Sequence, residues 1–331
     1  MFVYYLTTMK FLILSLFAFV ISPAFAQVKK DPVRVILDTD IGPDYDDVGA
    51  VAILHTLADQ GEAIPLAIMA SNKNELVAPT INLLNVYFGR PNLPVGAAKG
   101  KAADIGAWQE WPQMLLAKYP HTVNSTADVP DAVALYRKIL SAQPDHSVTV
   151  VSIGFLTNLS NLLLSKPDSF SNVTGRELVK RKVSKLVSMA GWFPKGREYN
   201  LLTDSIASAK VFNQWPTPVI FSGFEIGNKI KTGLGLVNDT AISGPVKDVF
   251  AFCIPKAKED SAGRSSWDET AVLVAIRGAT PYFSLKRGHI IIAGGDNSWK
   301  PGNNDSQYYM APAMPAKEIS AILEKYMKHQ K

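Results

Sequence analysis

The sequence predicts an α/β fold, an open and mainly parallel (mixed) sheet flanked by helices, and three observations predict it. Short β-branched runs alternate with longer amphipathic stretches, the pattern of strands covered by crossover helices. The most polar loops follow the carboxyl ends of those runs, where open α/β sheets gather their sites. Cys253 is the only cysteine, so no intrachain disulfide forms and a core must carry the stability.

Taken in order, residues 33–37 read as the first strand and 46–57 as the helix after it. Residues 64–70 give a second strand followed by a helix over 78–88, and 148–153 a third strand feeding a helix over 156–164. Further strands are expected at 185–189, 218–221 and 289–292, and further helices at 131–140, 205–212, 246–254, 267–276 and 316–327. Residues 195–197 and 299–305 read as loops rich in turn formers, and Gly294-Gly295-Asp296-Asn297 with Asn303-Asn304-Asp305 as surface turns. No internal repeat, low-complexity segment or interdomain linker interrupts the pattern.

The opening residues read as an address. Lys10 precedes the apolar run 11–21, and Ala24-Phe25-Ala26 supplies the small-x-small pattern of a cleavage site. Residues 1–26 are therefore expected to be a signal peptide, leaving 27–331 as a single domain in a periplasmic or secreted protein. The whole chain has a net charge of +5 and the leader carries only Lys10, so the mature value is +4. That mild excess lacks the Lys/Arg clusters of a nucleic-acid binder. No other apolar run is long enough to span a bilayer. Cys253 reads as a buried filler.

The strongest local signal follows the first strand: Asp38, Asp40, Asp44, Asp46 and Asp47 put five carboxylates into ten residues. Converging carboxylates raise one another's pKa and destabilise the fold unless a cation neutralises them. Oxygen-only ligands favour Ca²⁺ or Mg²⁺ over zinc. Gly42-Pro43 turns the chain so that the strand end meets the helix start, and Asp46 and Asp47 sit in that helix's first turn, where the macrodipole favours negative charge. Helix capping accounts for one or two of the five at most. An EF-hand would need Gly at its sixth position and Glu at its twelfth, where counting from Asp38 gives Pro43 and Gly49. A phosphatase of the haloacid dehalogenase type would need Thr where Gly42 stands.

With these residues in place, the chain resembles the nucleoside hydrolase family, also described as inosine-uridine preferring. That family carries Asp-Thr-Asp-x-Gly-x-Asp-Asp after its first strand. Here Asp38-Thr39-Asp40 and Asp46-Asp47 supply the same elements with two extra residues before the final pair. Gly154-Phe155-Leu156-Thr157-Asn158 is similar to the family's Gly-Pro-Leu-Thr-Asn turn, and Glu198-Tyr199-Asn200 followed by Asp204 to its Glu-Phe-Asn segment. Trp267-Asp268 stands where the family has a His-Asp pair. The likeness runs to about residue 276.

The resemblance implies a Rossmann-like nucleoside hydrolase fold and calcium-dependent hydrolysis of the N-glycosidic bond of ribonucleosides, giving ribose and free base. Residue by residue, it implies Ca²⁺ held by the carboxylates of Asp40, Asp47 and Asp268 and by the backbone carbonyl of Thr157. Asp46, Glu198 and Asn200 would hold the ribose hydroxyls. An Asn after the second strand joins them, either Asn72 or Asn74, with Asn74 preferred.

Asp40 is the expected general base for a water readied by the ion, attacking opposite the departing base with inversion. Trp267 cannot protonate a leaving base, though its ring, like those of Trp192, Phe193 and Tyr199, offers a stacking surface. Other readings stay open at this level: a calcium-dependent riboside-binding protein without hydrolysis, a hydrolase of a non-nucleoside riboside, or a Mg²⁺ phosphohydrolase using Asp38 or Asp40. A homo-oligomer also stays open.

Overall fold

The computed structural model describes residues 31–303 and 305–331. The expected leader and the turn residue Asn304 lie outside the described residues. The architecture grows from β1 (Val33–Thr39), whose alternate residues serve opposite faces of the sheet. Val35 and Leu37 join one hydrophobic cluster and Ile36 the other, the two-residue period of a strand buried on both sides. β2 (Ala63–Ala70) and β3 (Val95–Ala97) extend the sheet one way, and β4 (Val148–Ser152), β5 (Val183–Met189) and β7 (Val219–Ser222) the other.

All neighbours in this half are parallel, with Leu37 opposite Ile68 on one side and Val151 on the other. Chain order therefore reverses between β1 and β4. A crevice opens outside the carboxyl ends of strands at such a switch point.

The other end of the sheet is antiparallel. β12 (Gln307–Pro312) lies parallel to β7, but β10 (Phe283–Ala293), β11 (Asp296–Pro301) and the edge strand β6 (Lys195–Arg197) follow in alternating directions. The full order is β3-β2-β1-β4-β5-β7-β12-β10-β11-β6, and β8 (Lys231–Thr232) with β9 (Arg264–Ser265) forms a separate pair.

This end departs most from expectation. The strand anticipated at 289–292 is the tip of an eleven-residue β10, and the segments read as loops at 195–197 and from 299 belong to β6 and β11. Their exposed lysines and arginines hide the strand pattern. Gly294 and Gly295, with φ of 59° and 86°, form the two-residue turn joining β10 to β11, a conformation that glycine adopts without strain.

The Asp46–Asp59 helix is buried from Asp46 to Leu57, packed between the sheet and the helices Trp267–Arg277 and Ala316–Met327. Pro32–Lys331 form one compact unit, and no helix among the described residues is long and apolar enough to cross a membrane. Cys253 is buried as expected, and burial pushes its thiol up to about 12.

Candidate active site

β1 runs two residues further than the sequence suggests, which makes Asp38 a strand residue facing inward. Its carboxyl accepts from Tyr136 Oη at 2.9 Å and from Asn158 Nδ2 at 3.2 and 3.3 Å. Burial pushes its pKa up to about 8 despite these donors. Asp40 emerges past the strand end, and Gly154 of the turn after β4 lets it approach. A Cβ there would stand 2.4 Å from the Asp40 backbone nitrogen and 2.7 Å from its Oδ1.

Thr39 ties the two ends of the acidic loop together: its hydroxyl donates to Asp47 Oδ1 and accepts from the Ile41 N–H at 3.1 Å. The loop thus folds the Asp46–Asp59 helix start over the strand end, as Gly42-Pro43 suggested.

Asp268 arrives in the first turn of the Trp267–Arg277 helix, over 200 positions further along the chain. One carboxylate oxygen from each of Asp46, Asp47 and Asp268 lies within 4.8 Å of the others, and all three residues are buried. Two oxygens each about 2.4 Å from a shared hard cation lie at most about 4.8 Å apart, so this spacing fits one. Asp40 lines the same cavity, of about 80 Å³. Burial foremost, and then the Asp47 charge, pushes the pKa of Asp40 well above the carboxylate range. Burial followed by Asp46 does the same to Asp47, and burial followed by Asp46 and Asp47 to Asp268. Without a cation these groups relieve their crowding by taking protons; with one they can ionise together.

Glu198 and Asn200 face this cluster across the cavity. Glu198 caps the short Tyr199–Thr203 helix: Oε1 accepts from the Asn200 N–H at 2.7 Å, and Oε2 from the Leu201 and Gly191 N–H groups at 3.0 Å each. Burial raises its pKa to about 7, against the pull of these backbone donors. Asn200 donates through Nδ2 to the carbonyls of Ile153 and Met189, both at 3.3 Å, so the side chain is held in one orientation at the cavity wall.

Two expected residues stand elsewhere. Thr157 is not on the acidic cavity; it opens the Thr157–Leu164 helix, and its hydroxyl donates to Asp204 Oδ2 at 2.6 Å on a different cleft. The residue of that turn which lines the cavity is Ile153, because the chain turns away after β4. Asn74 is also off the cavity and reaches Asp104 at 3.3 Å. Asn72 is the fully buried one, donating to the Asp40 carbonyl at 3.2 Å and the Ile105 carbonyl at 2.7 Å, so it braces the acidic loop.

The aromatic wall also differs in detail. Phe193 is core, stacked on Tyr309 at 4.9 Å. Trp192 packs on Phe224 at 4.5 Å and Phe224 on Trp267 at 5.2 Å. Trp267 does line the cavity, but its ring is engaged, with its N–H on the Phe224 carbonyl at 2.9 Å and the Arg264 guanidinium 4.9 Å from its centroid. Tyr199, half exposed at the rim, is the freer stacking surface.

Asn297, read only as part of a turn, is buried; it accepts from the Trp192 N–H and donates to the Trp192 carbonyl, both at 2.8 Å.

Three residues were missed. Phe224 follows the carboxyl end of β7, and the strand-end rule was the signal for it. Arg264 has no local signature. Glu269 is fully buried beside Gly49, with neither oxygen hydrogen-bonded, and burial pushes its pKa well up.

The model of the inosine-uridine preferring nucleoside hydrolase family matches residues 35–306. The chain belongs to that family. This nucleoside hydrolase is 31% identical over 246 residues to a pyrimidine-specific ribonucleoside hydrolase, RihA, of Escherichia fergusonii, covering 66% of this chain and 68% of the relative. Among solved structures it is similar to a plant nucleoside hydrolase, PpNRh1, with a TM-score of 0.68 at 17% identity over 90% of this chain and 99% of that one. A purine-preferring ribonucleoside hydrolase from Gardnerella vaginalis gives a TM-score of 0.68 at 16% identity, covering 89% and 97%. At such identities the structures speak for the fold, and the fold agrees with expectation. The protein is thus an N-ribohydrolase of a metal-dependent family, acting on the N-glycosidic bond of ribonucleosides.

Proposed function

We propose that this nucleoside hydrolase uses Ca²⁺, held by Asp40, Asp47 and Asp268, to hydrolyse ribonucleosides with Asp40 as general base. One observation carries the reading: buried carboxylate oxygens of Asp46, Asp47 and Asp268 lie within 4.8 Å of one another at the switch point of the sheet, and Asp40 lines the same cavity. When bound, the ion supplies Lewis acidity that lowers the pKa of a water and orients the ribose diol. All-oxygen, carboxylate-rich ligands suit calcium better than magnesium, which keeps more of its waters.

Asp40 stands beside the cluster and accepts the proton of the attacking water. Asp46, Glu198 and Asn200 hold the sugar hydroxyls from the surrounding walls, which fixes the anomeric carbon before reaction. Asn72 acts behind them by holding the Asp40 backbone. The base leaves on the side opposite the water and takes its proton from solvent, giving inversion at the anomeric carbon, and Tyr199 at the rim offers it a stacking face. The leader composition supports export, and we place the enzyme in the periplasm or outside the cell.

A reducing-sugar assay across purine and pyrimidine nucleosides tests this, with chelator and with calcium or magnesium restored. Release of ribose that vanishes with chelator and returns with calcium is expected. Calcium-dependent binding without ribose release would instead mean a binding protein.

A further inference from the structure

Arg264 belongs to none of the motifs that mark the site, yet three carboxylates converge on it. It opens β9 and is 7% exposed. Asp46 Oδ1 accepts from Nε at 3.1 Å and from Nη2 at 2.8 Å. Asp44 lies 2.9 Å from Nη2, and Asp260 3.7 Å from Nη1. The guanidinium carbon sits 4.8 Å from the Tyr45 ring centroid and 4.9 Å from that of Trp267. Tyr45 in turn donates to Asp260 at 2.6 Å. Among the described residues, the ion pairs made by Asp44, Asp46 and Asp260 all go to this one arginine. A planar fork between aromatic rings is something lysine cannot reproduce.

This arrangement bears on a problem the cluster poses. Asp46 and Asp47 are neighbours in one helical turn, and an oxygen of each lies within reach of the same point as Asp268. Nothing in their local sequence tells a cation which of the two to bind. Arg264 separates them, because it engages Asp46 Oδ1 with two cationic donors, while Asp47 accepts from the neutral Thr39 hydroxyl and makes no ion pair with the guanidinium.

We propose that Arg264 is a positioning residue: it withholds Asp46 from the cation and fixes it as the acceptor of a sugar hydroxyl. Asp40, Asp47 and Asp268 are left as the cation's carboxylates. Trp267 then has a role its position alone does not give it, since its ring is one of the two that lie against the guanidinium. The assignment rests on the calcium reading above.

The test uses the whole protein and the variants Arg264→Gln, Arg264→Lys and Asp46→Asn. Calcium affinity is measured by titration calorimetry without substrate, and kcat and KM are measured on a nucleoside the wild type hydrolyses. Removing a positive charge beside the cluster should make Arg264→Gln bind calcium several-fold more tightly. The same variant should lose about 10²-fold or more in kcat/KM, the cost expected when a positioned group is set free. Arg264→Lys keeps the charge but not the fork, so its calcium affinity should match wild type while kcat/KM stays at least tenfold down. Asp46→Asn combined with Arg264→Gln should be no worse than the worse single variant, because both break one unit.

Calcium affinity that falls together with activity in Arg264→Gln marks a merely structural residue and overturns the assignment, as do additive losses or a kcat/KM within threefold of wild type. Should Arg264→Gln not fold, Arg264→Lys decides alone on the same two readings. Wild-type protein that binds no calcium sinks the underlying reading, whereas wild type that binds it beside variants that behave otherwise than stated sinks only the role of Arg264.

Discussion

Asp38 and Asp40 are two residues apart, one on β1 and one just past its end, and their surroundings treat a buried carboxyl in opposite ways. Asp38 points into the packed side of the sheet, where Tyr136 and Asn158 supply donors. Asp40 stands past the strand end among Asp44, Asp46 and Asp47, whose charges add to its burial. A buried acid with enough hydrogen-bond donors is a structural element, settled within the protein. Several buried acids facing one another with fewer donors than their oxygens need call for something from outside, and a divalent cation meets that need. The sequence run that reads as five equivalent carboxylates is therefore two different pieces of chemistry.

The largest effects should come from the cation side of this comparison. Asp268→Asn should weaken calcium binding by more than about 100-fold, since partners one shell further out already cost 10–100-fold. Calorimetry shows it directly, and near-normal affinity would mean that Asp268 is only a helix cap. Asp40→Asn should lower kcat by about 10²- to 10⁴-fold with the fold intact by circular dichroism, the range for a lost general base.

Glu198 provides a smaller effect. Its folded pKa is raised to about 7, and only the ionised form accepts hydrogen bonds through both oxygens. The profile of kcat/KM should rise with pH through about 7, and Glu198→Gln should flatten that limb; an unchanged limb would assign the titration elsewhere.

Asp38→Asn should leave kcat/KM within about tenfold of wild type, because the wild-type group is already largely protonated below its raised pKa. Its effect should appear in stability. With the folded pKa near 8 and the unfolded value near 3.8, the group's stabilising contribution is fully present below about pH 4. It is lost progressively as pH rises to about 8, because the unfolded chain ionises first. Melting curves of the variant relative to wild type should improve across that window, and a constant difference would refute the sign. Smallest of all, Thr157→Val should change kcat/KM by less than about threefold, because the buried hydroxyl it removes bonds Asp204 away from the cavity. A large loss would tie that side chain to the site.

Much of the parallel half was legible in the sequence. Its strands are buried on both faces, so they appear as β-branched runs without charge such as residues 148–152, and the helix Ala316–Met327 matches the expected span residue for residue. The antiparallel end was not legible. β10 and β11 carry Lys286, Arg287 and Lys300 on exposed positions, and such strands are defined by their partners more than by their own pattern.

At the site, the sequence by itself determined which chemistry was available: oxygen ligands without His or Cys, a turn to fold them back, and the motif order that placed Asp40, Asp46, Asp47, Glu198, Asn200 and Asp268 around one cavity. Only the tertiary structure decided how those carboxylates divide their work. Asp38 was turned inward by the strand's two-residue period, Thr157 was carried off the cavity by the turn after β4, and Asn72 rather than Asn74 was set against the loop. Arg264 was brought beneath Asp46 from over 200 positions away. The reason is physical: a residue type fixes what a group can donate, accept or ionise. Its pKa and partners depend on burial and on distances of a few ångströms, which segments far apart in the chain supply only once they are packed together.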